Sequence, residues 1–214
     1  VVAIDQGTAL PQEGLFHIPR LRLWAVIAAV TALVGVGGFA ARDFSETGLR
    51  QGSELAWRFT CFIFFAAIIA GPLARLIPSE TLRRICEQRR QLIWGFCASF
   101  GVYLASILGP NLLAHRDDLA AGTTIFVVFG VGLTMIIAYT ASRQAADLLG
   151  ETARRTILVV GLSTFWLAYA LTGLAGIYGP HRPDAFYGFS LSLMIVALLL
   201  RFADRFAANI RSRG

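Results

Sequence analysis

The sequence predicts an all-α membrane protein, a six-transmembrane-helix bundle with both termini in the cytoplasm. Three observations predict it. Of 214 residues, 56% are hydrophobic and only 15% are charged, where a soluble domain carries about 25%. The mean hydropathy is +0.64. The apolar residues gather in runs of membrane-crossing length, and the basic residues gather between those runs.

Residues 1–21 contain two acids and two prolines but no apolar core of a signal peptide, so they are expected to be a mobile tail. The lack of an initiator Met suggests trimming. A transmembrane domain then covers 22–207, and a short basic tail covers 208–214. About 20 apolar residues are needed to cross the hydrocarbon core as a helix. Six stretches qualify: 23–41, 55–76, 92–108, 123–141, 156–178 and 185–203. The last keeps its place although Arg201 lies in its final turn, because a long basic side chain can snorkel to the headgroups. Helix is the expected state throughout, since lipid cannot pair with free backbone groups and the runs exceed a barrel strand.

Arginine supplies every positive side-chain charge except histidine's. Fourteen arginines fall before span 1, after spans 2 and 4 and at the C-terminus, against five on the opposite side. The positive-inside rule places the richer side in the cytoplasm. Pro110, Pro180 and Pro183 then mark outer turns, and Trp24, Trp57 and Trp94 are expected near span ends as interfacial anchors. The same distribution turns the net charge of +6 toward anionic lipid and excludes a nucleic-acid partner.

Three cysteines, Cys61, Cys86 and Cys97, are too scattered for a disulfide framework, and those inside spans read as small apolar packing residues. Glu54 and Arg58 share one helix face, as do Arg201 and Asp204, so both read as local ion pairs. No acidic residue lies mid-span, which argues against an ion-coupled transporter or proton pump. The two halves of the chain show no repeat, which weakens an inverted-repeat transporter. No P-loop, dinucleotide fingerprint, nucleophile elbow or zinc motif is present. His115 and His181 fall on the same expected face, each followed by an arginine that would repel a cation, so they read as polar loop residues.

Two stretches carry a resemblance. WRFTCFIFFAAIIAGPLARLIP (57–78) followed by LRRICEQRRQLIWGFCASFGVYL (82–104), with AYTASRQAADLLGETARR (138–155), is similar to the ferric-reductase-like transmembrane domain family. The nearest likeness within it is the haem-binding membrane subunit of the methionine sulfoxide reductase system. The matching residues are Trp57, Arg58 and Phe59, then Pro72, Leu73 and Arg75, then Arg89, Arg90 and Leu92. The resemblance implies a six-helix bundle that holds b-type haem with histidines of its third and fifth helices. Those positions fall here on Tyr103, Thr156 and Tyr169, and His17, His115 and His181 all lie outside the spans. Burial in lipid disfavours a phenolate, so tyrosine ligation is unfavourable. The two rings are expected inside the bundle, filling the space of a haem, with their hydroxyls paired to neighbours such as Ser99, Ser106 or Thr172.

The resulting expectation is a haem-free, non-enzymatic accessory or scaffold subunit of a larger complex in the bacterial inner membrane. The alternatives are an electron-transfer subunit with unusually ligated haem b or with quinone, and, more weakly, a small-molecule or lipid transporter. Contact with other membrane subunits is expected at Gly35, Gly37 and Gly38, where small residues permit close helix approach. Arg83, Arg84, Arg89 and Arg90 are expected to meet an acidic partner surface or anionic membrane lipid. Gly95, Ser99, Gly130, Thr134, Gly173 and Gly176 are expected to serve packing.

Cysteine-accessibility labelling checks the orientation. His115→Cys should react only from outside the cell and Ser212→Cys only from the cytoplasm; labelling of position 115 from the cytoplasm would overturn it.

Overall fold

Every backbone N–H and C=O placed in hydrocarbon must find its partner within the chain, and the helix does this residue by residue. The computed structural model, which describes residues 23–43, 45–77, 79–113, 121–178 and 184–211, is helical accordingly. Its elements are α1 (Leu23–Ala40), α2 (Glu46–Leu76), α3 (Glu80–Glu87), α4 (Arg89–Leu113), α5 (Ala121–Thr140), α6 (Arg143–Tyr178) and α7 (Ala185–Arg211). No strand occurs among the described residues. Five helices are long and apolar enough to cross a membrane: α1, α2, α4, α6 and α7. The fourth expected span corresponds to a shorter apolar helix, Thr124–Thr140 within α5.

Several helices outrun the expected spans. Ser45 caps α2, its hydroxyl accepting from the Gly48 N–H at 3.2 Å, so the helix starts well before residue 55. Trp57 is therefore well inside α2, half-buried, and packs against the core rings Tyr103 and Tyr169. Helix α4 continues past Pro110 to Leu113, since a proline near a helix end costs only one internal bond. Helix α7 runs to Arg211, through most of the expected basic tail. Gly150 interrupts α6 at φ 71°, ψ 156°, a backbone region open mainly to glycine, which separates a short leading helix from the long span. His17, His115, His181, Pro180 and Pro183 lie outside the described residues.

Helix α2 is central, touching α1, α4 and α7, while α5 bridges α4 and α6. Glycine sets the α1–α2 distance. A Cβ on Gly52 would run into the Gly35 carbonyl, and one on Gly38 would come within 2.9 Å of the Gly52 Cα. The Gly35 and Gly38 face expected to receive another subunit is thus covered by α2, and of the three only Gly37 faces open space. Gly95 admits the Ile27 side chain, and Gly130 lies under the Phe100 ring.

Deeper in the same seam, three buried hydroxyls tie α1, α2 and α4. Ser99 Oγ lies 2.8 Å from Thr31 Oγ1 and 2.6 Å from Thr60 Oγ1. The two threonines also reach back to the carbonyls of Ile27 and Ala56, each at 2.8 Å. Three protons therefore serve four short contacts, so the protons must be shared or exchanged around the node.

Helix α7 lies parallel to α2 and is pinned along its length. Arg58 pairs with Asp184, Cys61 Sγ lies 3.3 Å from Ser190 Oγ, and Arg75 grips both oxygens of Asp204 at 2.8 and 2.6 Å. Asp184 also caps α7, accepting from the Phe186 N–H at 2.9 Å. Of the local pairs expected from spacing, Glu54 and Arg58 meet at 4.0 Å, while Asp204 is held by Arg75 of α2. A bidentate fork between helices is a stronger contact than a looser one along a single helix. From Arg58 to Arg75 a helix rises roughly 26 Å, close to the ~30 Å of a hydrocarbon core. The two arginine–aspartate pairs are thus spaced to sit at opposite membrane faces.

Gly52→Leu should destabilise the bundle by about 1–3 kcal/mol through forced separation of α1 and α2, while Gly37→Leu should leave the melting temperature unchanged. Thermal denaturation in detergent reads both; equal effects would remove the glycine contact as the determinant of the seam.

Candidate functional site

Apolar periodicity turns aromatic residues of α2, α4 and α6 inward, and they meet in one column. Tyr169 is 1% exposed and lies between two rings. Trp57 stacks on it at 4.4 Å between centroids and 19° between planes, and Phe64 at 5.0 Å and 22°. Tyr103 meets Trp57 at 5.0 Å, tilted. Below Phe64 the column widens into edge-to-face contacts: Phe96 to Phe165 at 5.0 Å and Phe100 to Phe165 at 4.9 Å. Such offset and edge-on arrangements are the favoured ones for aromatic pairs.

The structure thus brings Tyr103 and Tyr169 together around Trp57. Thr156 stays apart, exposed at the other end of α6 and bonded to its own helix at the Thr152 carbonyl, 3.0 Å away. The hydroxyl partners expected for the tyrosines are engaged otherwise. Ser99 belongs to the threonine node, Ser106 donates to the Tyr103 carbonyl at 2.7 Å, and Thr172 donates to the Ala168 carbonyl at 2.8 Å. The buried Tyr169 hydroxyl has no hydrogen-bond partner among the described residues. Its energetic cost is outweighed by the ring, which fills the centre of the bundle.

This packing does not suit a haem. A macrocycle needs a flat slot, and both faces of Tyr169 are already covered at stacking distance. Thr156 is too far along α6 to act with Tyr169 on one iron: thirteen residues of helix rise roughly 20 Å. Beside the column, Ser53, Glu54, Trp57, Tyr103, Phe126, Thr172 and Tyr187 line a cavity of about 190 Å³. That is below the roughly 300–1,000 Å³ of sites that enclose drug-sized ligands.

The predicted arginine group divides. Arg83 and Arg84 stand on α3, exposed, and both pair with Glu80, at 2.9 and 3.3 Å. Arg90 is exposed. Arg89 turns inward, its Nε donating to the Ala67 carbonyl at 3.3 Å. Sequence reading missed Trp166, whose indole N–H donates to the Met194 carbonyl at 2.9 Å and joins α6 to α7. It had no signal, because an indole inside an apolar run reads as packing.

Searches of family models, curated proteins and solved structures return no match to this chain.

Tyr169→Phe removes a buried hydroxyl that has no partner among the described residues and keeps the stacked ring. It should raise stability, by up to about 1–3 kcal/mol. A lower melting temperature would show that the hydroxyl serves a bound ligand instead.

Proposed function

We propose that the chain is a haem-free, ferric-reductase-like membrane protein that acts as an accessory or scaffold subunit of a larger complex in the bacterial inner membrane. One observation supports the reading: Tyr103 and Tyr169, at two of the positions where the resemblance expects haem ligands, are joined through Trp57, with Phe64, in one aromatic column. Rings at these spacings supply by packing the core contacts that a cofactor would otherwise make. In this reading α5 is the sixth span, and both termini lie in the cytoplasm. Support for that orientation comes from the bonds that gather α1's start and α7's end at one end of the bundle. The Leu23 N–H donates to Gln91 Oε1 at 2.9 Å near the start of α4, and Arg75 holds Asp204 where α2 ends. The arginine-rich stretch between α2 and α4 lies at that same end.

A non-catalytic subunit requires contact with other chains. Gly37 has open space beyond it, so a neighbouring transmembrane helix could approach α1 closely there.

The purified protein should show no Soret band, and it should copurify with other membrane subunits from native membranes in mild detergent. Gly37→Leu should weaken that association and spare the fold. A reducible Soret spectrum would overturn the haem-free reading; a monodisperse free monomer indifferent to Gly37→Leu would overturn the scaffold role.

A further inference from the structure

Four helices deliver arginines to one end of the bundle. Arg75 comes from α2, Arg89 from α4, Arg155 from α6, and Arg201 and Arg205 from α7. The guanidinium groups of Arg75 and Arg89 both come within 4 Å of where a Cβ on Gly71 would sit, at 3.7–3.8 Å. The charges of Arg75 and Arg155 bear on Arg89, and those of Arg89 and Arg205 bear on Arg201. Among the described residues, one carboxylate is in hydrogen-bond contact with the five, Asp204, and Arg75 holds both of its oxygens. Glu151 is engaged by the neighbouring Arg154, at 3.1 and 3.3 Å. The group is therefore strongly cationic; Arg89 and Arg201 are half-buried, while Arg75, Arg155 and Arg205 are exposed. Like charges gathered in that way repel unless an anion joins them.

We propose that Arg75, Arg89, Arg155, Arg201 and Arg205 form a binding site for the phosphate of an anionic phospholipid headgroup. Guanidinium forks match phosphate oxygens in geometry and charge. A soluble phosphate would satisfy the same forks, but the surroundings favour a lipid. Phe202 and Phe206, 60% and 71% exposed, stand on α7 among Arg201 and Arg205 and offer apolar surface to an acyl chain. The site also lies where the apolar spans reach their polar flank, the level of the headgroups. Arg83 and Arg84 lie outside it, paired on α3. This inference is independent of the haem-free reading.

The test measures thermal stability of the full chain in neutral detergent, titrated with phosphatidylglycerol, with phosphatidylcholine or with inorganic phosphate. Phosphatidylglycerol should raise the melting temperature, and the other two should not. Each of Arg155→Gln and Arg205→Gln should weaken the apparent lipid affinity about fivefold, and the pair more. The paired change Arg83→Gln with Arg84→Gln should leave that affinity unaltered. Arg89→Gln also removes a bond to the bundle, so the α6 and α7 substitutions carry the decision. Stabilisation by inorganic phosphate equal to that by phosphatidylglycerol would overturn the lipid assignment. No difference between phosphatidylglycerol and phosphatidylcholine, or equal loss in the α3 variant, would overturn the site.

Discussion

The bundle depends on the Ser99 hydroxyl, where α1, α2 and α4 meet. Hydrocarbon offers no hydrogen bond, so a hydroxyl taken there must be answered by another group of the same chain. Thr31 and Thr60 answer it from opposite sides, each anchored in turn to its own helix. That arrangement demands close backbones, and the glycines of α1 and α2 allow it: Gly35 and Gly38 face Gly52 with no side chain between them. Dispersion over so close a contact supplies the attraction that the hydrophobic effect cannot supply between helices in lipid. The seam fixes the position of α2, and α2 presents Trp57 and Phe64 to the other side.

From that fixed helix the rest follows in register. Trp57 and Phe64 clasp Tyr169, which places α6, while Arg58, Cys61 and Arg75 engage α7 along a parallel line. Among the described residues the centre is an aromatic column with one unpaired buried hydroxyl, that of Tyr169. A macrocycle would need that column opened, because it cannot share the faces of a ring already stacked on both sides.

Hydropathy made the helices legible and left their partners hidden. Five of the six expected spans were readable because each is a local run. Spacing showed the Glu54–Arg58 pair but not the pairs between helices, because it reveals only neighbours along one helix. Arg58 and Asp184 are 126 residues apart, and Arg75 and Asp204 are 129 apart, so nothing local marks either match. Trp57 was expected near the start of its helix; Ser45 caps α2 earlier, so the indole lies a dozen residues in and packs against Tyr103 and Tyr169. The glycines of α1 were recognisable as a close-approach face, but a small residue does not say which helix approaches. The break at Gly150 depends on a backbone angle that composition cannot display.

The two arginine–aspartate pairs that lock α7 to α2 are not equivalent. At the Asp184 end, Arg58 is joined by Glu54 and lies over the Phe186 ring, 5.0 Å from its centroid, so its charge is answered within the chain. At the Asp204 end, one carboxylate among the described residues stands against arginines from four helices. Among those residues the fold answers the arginine charge at one rim and leaves the other more cationic. A bundle of that kind would meet anionic headgroups unequally at its two ends, and the difference follows from which carboxylates the neighbouring helices bring to each arginine.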